Sequence, residues 1–278
     1  MKSIQSKQQN NKTYYNLEEF LTSKLSSHSK LNLYLNEKQA NQQGNEVLKQ
    51  NLESAFSKCL NLLSLTIQIT YNNITQLGAQ VLGNHLIDVK KLETLKIYLS
   101  FNKIGELGIK NLSQNFLHYK NLLQLTLFAT FNNIGGSGAS YLGFEIGFCQ
   151  KLKKLELDLS NNNIDIQGVN GLNSGLMRCS SLSSITLYLS SNILIQRGNQ
   201  QLSFDVQNQK NLVNYELFLS KTQIESSFIT NFCNNLLKAV KLQTLTLNFE
   251  ENSIPDYYKQ KLENTVNKMR KLVKKKLT

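Results

Sequence analysis

The chain repeats itself every thirty residues, and a repeat of that length admits few folds. Leu92, Leu95, Ile97, Leu99, Asn102 and Ile104 appear one step back as Leu62, Leu65, Ile67, Ile69, Asn72 and Ile74. They appear one step forward as Leu122, Leu125, Leu127, Ala129, Asn132 and Ile134, and the pattern runs on through Leu152, Leu182, Leu212 and Leu242. No insertion interrupts these seven units; a degenerate eighth, with Leu31, Leu33, Leu35 and Ala40, precedes them and is four residues longer. In each unit apolar residues first alternate with polar ones, the period of a half-buried strand. The second half changes period: Gly78, Leu82 and Leu86 become Gly108, Leu112 and Phe116, then Gly138, Leu142 and Ile146, on to Gly168, Leu172, Leu176 and Gly198, Leu202, Val206. Apolar residues four apart make one face of a helix. One strand and one helix cannot bury their apolar faces alone, so the units must stack into a parallel sheet. Helices are wider than the strand spacing, so the stack curves with the sheet inside.

The asparagine column has its own logic. An amide offers two donors and an acceptor, and turned inward it satisfies loop backbone of its own and adjacent coils. Thr222 breaks this column near one end and Lys38 near the other. Stretches such as LETLKIYLSFNKIGELGIKNLSQNF (residues 92–116) resemble leucine-rich repeats of the ribonuclease-inhibitor subfamily, over roughly residues 31–266. The resemblance implies a right-handed α/β solenoid, a horseshoe with a parallel sheet on the concave face and helices on the convex face. One departure stands out: the usual LxxLxLxxNxL is here LxxLxLxLSxNxI, two residues longer before the asparagine. Two residues are one in–out cycle of a strand, so a longer strand or a bulge is expected there.

The expected organisation is a disordered tail over 1–12 and one repeat domain over 13–266, followed by a basic extension over 267–278. Within the domain, 13–30 form an N-terminal cap, in which Leu17, Phe20, Leu21 and Leu25 have helical spacing. A capping helix begins at Pro255, with an apolar stripe of Tyr258, Leu262, Val266, Met269 and Val273 that carries it into the basic end KMRKLVKKKLT.

Strand alternation also predicts what faces outward. One column reads Gln68, Tyr98, Phe128, Asp158, Tyr188, Phe218, Asn248; its neighbour reads Thr66, Lys96, Thr126, Glu156, Thr186, Glu216, Thr246. Beyond the strands lie Tyr71, Phe101, Phe131, Asn161, Ser191, Lys221 and Glu251. Rigid outward aromatics are the usual anchors of interface hot spots. Aromatics and threonine also favour sheets for packing alone. The candidate partner-binding residues are therefore Tyr98, Phe128, Asp158, Tyr188 and Phe218, with Lys96, Glu156, Phe101 and Phe131. Glu156 and Asp158, with Lys154 and Lys96, read either as a selector for a partner's basic group or as a solvated charge cluster.

The net charge of +12 favours acidic partners. Lys90, Lys91, Lys120, Lys151, Lys153, Lys154, Lys210 and Lys241 recur on one rim, and Lys268, Arg270, Lys271 and Lys274 to Lys276 follow. They read as an acid-attracting edge or as a solubilising surface; no aromatics interleave with them for base stacking.

Catalysis finds little support. Cys59, Cys149 and Cys179 share one column and lack the paired spacing of a zinc site. His28, His85 and His118 share no column. No Gly-rich stretch carries the Lys-Ser/Thr of a phosphate loop. Neither a cofactor, a metal nor a small-molecule substrate is expected. The reading is a non-enzymatic scaffold for a protein partner on the concave face. The alternatives are a small-GTPase regulator, because the same repeat subfamily includes GTPase-activating proteins for Ran, or attachment to nucleic acid or an acidic filament through the basic rim and tail. MKSIQSKQQNNKTYY has no apolar core of a signal peptide and no run is long enough to span a membrane, so a cytoplasmic, cytoskeletal or axonemal setting is expected. The abundance of Asn, Gln and Lys suggests an AT-rich protist source.

Overall fold

Thirty-residue register is built into the sheet. The computed structural model describes residues 11–35, 45, 48, 55–195, 201–206 and 209–278. Ten strands form one sheet in chain order: β1 Asn11–Tyr14, β2 Lys30–Tyr34, β3 Ser64–Gln68, β4 Thr94–Tyr98, β5 Gln124–Phe128, β6 Lys154–Asp158, β7 Ser184–Tyr188, β8 Asn214–Phe218, β9 Thr244–Asn248 and β10 Lys274–Leu277. Every adjacent pair is parallel. Leu65 pairs with Leu95 and Leu95 with Leu125, so each repeat column is a row across the sheet. Leu31 pairs with Leu65, which places the four extra residues of the first unit between β2 and β3. Lys38, Ala40 and Gly198 lie outside the described residues.

The helices return the chain: α1 Leu17–Leu21, α2 Gln76–Leu86, α3 Gly105–Ser113, α4 Gly135–Ile146, α5 Ile166–Leu176, α6 Ser226–Leu236 and α7 Asp256–Asn267. A helix is about 10 Å across and strands are about 4.8 Å apart, so the sheet is concave and the helices convex. The fold is a right-handed α/β solenoid of the horseshoe kind. Inward strand residues, such as Leu95, Ile97 and Leu99, and helix residues, such as Ile109 and Leu112, are buried. Each contributes about 2 kcal/mol by leaving water.

Two ladders tie successive coils together. In the first, the Asn162 amide donates to the carbonyls of Ala129 (2.9 Å) and Ser160 (3.0 Å), while its oxygen accepts from the N–H groups of Asn132 (2.9 Å) and Ile134 (3.3 Å). Asn102, Asn132, Asn192 and Asn252 make bonds of the same kind. Thr222 Oγ1 lies within donating distance of Leu219 O (2.6 Å) and of Asn252 Oδ1 of the next coil (3.2 Å), a smaller set of bonds than the asparagines make. The second ladder closes helix C-termini. Tyr119 Oη donates to Leu86 O (2.7 Å), Cys149 Sγ to Phe116 O (3.6 Å), Cys179 Sγ to Ile146 O (3.2 Å) and Gln209 Nε2 to Leu176 O (2.8 Å). Each carbonyl also accepts a backbone N–H from three residues on, and the side chain of the next coil supplies a second donor at a helix end that lacks further i+4 partners. The cysteine column is part of this capping row.

The two extra residues before each asparagine extend the ladder. Leu99 N–H donates to Phe128 O (2.7 Å) and Phe101 N–H to Thr130 O (2.8 Å), beyond the last strand residue Tyr98. The chain then turns through a left-handed residue in every unit: Tyr71, Phe101, Phe131, Asn161, Ser191, Lys221 and Glu251 all have φ between 55° and 59°.

Three elements differ from the sequence reading. The unit with Leu202 and Val206 has no helix over 201–206; the segment is extended, with Leu202, Phe204 and Val206 buried and Ser203 and Asp205 between them. Asn170 of α5 holds it, accepting from Ser203 N–H (2.9 Å) and donating to Gln201 O (2.8 Å). The helix from Pro255 stops at Asn267 and does not run on to Val273, which is 85% exposed. Met269 and Leu272 instead fall in the repeat columns that precede a strand, and Lys274–Leu277 pairs with β9. At the N-terminus, Asn11 and Lys12 of the expected tail open β1; residues 1–10 lie outside the described residues. The cap there is a strand plus the short α1, whose N–H of Glu19 donates to Asn16 Oδ1 at 2.8 Å.

Both edge strands place a lysine in the inward row. Lys12 pairs in register with Leu31 and Lys275 with Leu245. An inward charge on an edge strand opposes the addition of another strand. Lys12→Leu with Lys275→Leu is expected to add an end-to-end associated species that grows with concentration in sedimentation velocity. Profiles identical to the wild type would show that these lysines do not guard the edges.

Candidate functional site

The outward side chains of the central strands form the candidate site. Tyr98, Phe128, Asp158, Tyr188 and Phe218 come from equivalent positions of β4 to β8 and are all half-buried. Tyr98 meets Phe128 edge-on, with ring centroids 5.2 Å apart. Tyr188 stacks on Phe218 at 4.5 Å and 17°. Phe128 and Tyr188 stand on strands two apart, roughly 9.6 Å between backbones. Their centroids are nevertheless 6.3 Å apart at 74°, so the rings lean together across Asp158. The row is thus continuous in apolar contact with one carboxylate at its middle.

Below this row lie Lys96, Glu156 and Glu216. Thr126, buried between Lys96 and Glu156, donates to Glu156 Oε2 at 3.5 Å. Asp158 Oδ1 accepts from its neighbour Ser160 N–H at 3.0 Å. Among the described residues, none of Lys96, Lys154, Glu156, Asp158 and Glu216 is in an ion pair. Burial pushes the Tyr188 phenol above its ordinary range, and the carboxylates of Glu156, Glu216 and Asp158 push it the same way. Tyr98 is raised by burial, then by Glu156 and Tyr34. Glu216 belongs to this cluster although the sequence reading did not single it out; its column position, beside Glu156 with one strand between, was the available signal.

A second ladder runs along the edge of the sheet where the strands end. Tyr71 stacks on Phe101 at 4.2 Å and 9°, and Phe101 on Phe131 at 4.8 Å and 19°. Tyr71 is 62% exposed, Phe101 39% and Phe131 47%. These are the left-handed positions, where a non-glycine residue costs about 1–2 kcal/mol and Asn is the least penalised. Aromatics are therefore not there for the backbone's sake. Tyr71 was outside the candidate set, yet it completes the ladder.

The basic rim is exposed at Lys90, Lys120, Lys210 and their neighbours. Two of its members have structural work: Lys151 donates to Asn121 Oδ1 (2.8 Å) and Lys241 to Asn211 Oδ1 (3.1 Å), each one coil back. Arg270 and Lys274 are exposed at the last coil. Exposed aromatics on the convex side already have cations over them, Lys110 over Tyr141 at 4.2 Å and Arg178 over Phe144 at 5.3 Å.

The groups that could serve catalysis are occupied otherwise. Burial pushes the thiols of Cys59 and Cys179 up to about 11 and that of Cys149 up to about 12. Such thiols are not nucleophiles at neutral pH. Ser23 Oγ lies 2.9 Å from His28 Nε2, a contact the spacing did not suggest. The same hydroxyl lies 2.6 Å from Phe20 O, and among the described residues His28 Nδ1 has no hydrogen-bond partner that would orient the ring. Among the described residues no group of three or more His, Cys, Asp or Glu is placed to hold a metal ion, and no helix is long and apolar enough to cross a membrane.

No family model matches the sequence, and no curated protein matches it. Solved structures similar to it include an internalin from Listeria monocytogenes, 14% identical, covering 84% of this chain and 88% of that one, with a TM-score of 0.28. Another is a leucine-rich repeat protein from Leptospira interrogans, 15% identical, covering 96% of this chain and 88% of that one, with a TM-score of 0.26. At those scores the likeness carries no argument, and the solenoid rests on this chain's own parallel sheet and thirty-residue register.

Proposed function

We propose that the protein is a non-enzymatic scaffold that binds a protein partner on its concave sheet face. The observation that supports this most is the Tyr71–Phe101–Phe131 ladder, three exposed aromatics kept at positions where the backbone disfavours them. Phe101 and Phe131 follow Tyr98 and Phe128 by three residues, so the edge ladder borders the concave row. Rigid rings bind with little loss of side-chain freedom, and a curved sheet presents many of them at once. Lys96 and Glu156 would orient the partner, because rim charges set register more than they set affinity.

The test is a crosslinking pull-down with two variants that retain the wild-type circular dichroism spectrum. One changes Tyr98, Phe128, Tyr188 and Phe218 to Ser; the other changes Tyr71, Phe101 and Phe131 to Ser. Loss of the same captured protein from both is the expected result. Retention by both would assign the aromatics to sheet packing and move attention to the lysine rim and the basic last coil.

A further inference from the structure

The middle of the concave face, over β6 to β8, has a charge opposite to that of the chain. Nine outward positions belong to β6, β7 and β8: Lys154, Glu156, Asp158, Ser184, Thr186, Tyr188, Asn214, Glu216 and Phe218. Three carboxylates against one lysine leave this patch at −2, on a protein whose formal net charge is +12. Glu156 and Glu216 flank Thr186 on the strand between them, and Asp158 stands one step up. Lys154 is on the same face and strand, yet among the described residues it is in no ion pair with either acid of β6. Carboxylates that have not been neutralised from within lie directly beside aromatic faces.

We infer that the segment bound on this face is basic, and that one of its Lys or Arg side chains sits at the Glu156–Asp158–Glu216 cluster, beside the Phe128 and Tyr188 rings. The inference rests on the concave-face reading above. Two attractions converge at that point. A cation over an aromatic face is drawn to the ring's negative quadrupole, and more strongly where water is excluded. A guanidinium or ammonium also donates charge-assisted hydrogen bonds to carboxylates, and Glu156, Asp158 and Glu216 offer oxygens on two sides of it. Apolar residues flanking the cation would lie on Tyr98–Phe128 in one direction and on Tyr188–Phe218 in the other. The complementary arrangement, an acidic segment on the lysine rim, has charge in its favour but no aromatic surface beside it.

The experiment is a selection from a random linear peptide library displayed on phage, with three baits. The baits are the wild-type chain, the variant with Glu156→Gln, Asp158→Asn and Glu216→Gln, and the variant with Ser at Tyr98, Phe128, Tyr188 and Phe218. The amide substitutions keep size, and the side-chain oxygen left by Asp158→Asn would still accept from Ser160 N–H, so the first variant is expected to fold as the wild type. Expected on the wild type are peptides enriched in Lys or Arg next to apolar residues. Synthetic copies should bind the amide variant at least about tenfold more weakly, and added salt should weaken wild-type binding more than it weakens binding to the amide variant. Peptides without basic enrichment that still depend on the aromatics would overturn this inference and leave the concave-face reading standing. Peptides bound equally by all three baits, acidic ones included, would overturn both.

Discussion

Asn162→Ala is expected to cost about 4 kcal/mol of stability, most of what a repeat protein of this size can lose through one side chain. The residue is fully buried and makes four hydrogen bonds at once. Removing the amide does not strand everything it touches. Ala129 O still accepts from Asn132 Nδ2 at 3.1 Å. The N–H groups of Asn132 and Ile134 lose their acceptor inside the protein, and each unsatisfied buried donor costs about 1–3 kcal/mol. The alanine also leaves an empty space that well-packed coils on both sides cannot close. Urea unfolding followed by far-ultraviolet circular dichroism measures the cost. Asn162→Asp is the informative companion: it keeps the acceptor for both N–H groups but faces Ala129 O with an oxygen. A loss under about 1 kcal/mol in the alanine variant would mean that water or a shifted loop replaces the amide, and the ladder would not be what joins the coils.

That ladder was legible in the sequence because it recurs. A residue seen once says little, but an asparagine at one offset in unit after unit can only be explained by a contact between units. The same recurrence made the outward columns legible: register follows from the repeat length, and alternation decides which residues face out. Where columns stopped recurring, legibility stopped as well. Leu202 and Val206 are four apart, and four residues close one helical turn but also two full strand cycles. Spacing of that kind fits both periods. Phe204 was the discriminating residue, because an apolar side chain midway between them fits only the extended chain. Met269 and Val273 posed the same ambiguity at the last coil, where the repeat columns, followed one step further, give the strand.

The candidate site divides along the same line. Its membership was legible, since Tyr98, Phe128, Asp158, Tyr188 and Phe218 fall in one row by arithmetic. Its shape was not. That Phe128 and Tyr188 close to 6.3 Å over Asp158 depends on side-chain torsions that no column encodes. Nor did the sequence reveal the left-handed backbone at Tyr71, Phe101 and Phe131, because an aromatic is among the last residues to suggest it.

Gly175→Ala is expected to lower stability by about 3 kcal/mol, against the direction that helix propensity predicts. Gly175 lies in α5, and alanine is favoured over glycine in a helix by about 1 kcal/mol. A Cβ at this position, however, would sit 1.8 Å from Gly143 O and 2.1 Å from Gly143 C of the neighbouring α4. Those are backbone atoms and cannot rotate away. Relief requires α4 and α5 to separate, and separation loosens the core in which Leu142, Ile146, Leu172 and Leu176 of these helices are buried. The sign therefore follows the clash. Gly105→Ala is the matched control: its φ is +68°, and a Cβ there meets nothing within 4 Å. It should cost only the left-handed backbone penalty, about 1 kcal/mol. Native-state hydrogen exchange adds a readout of place, because each coil of a solenoid is held chiefly by its neighbours. In Gly175→Ala, amides of α4 and α5 should lose protection while those of α2 and α7 keep theirs. Equal losses for the two glycine variants would refute the close approach of these helices. Uniform loss of protection along the chain would show that the coils unfold as one unit and not pair by pair.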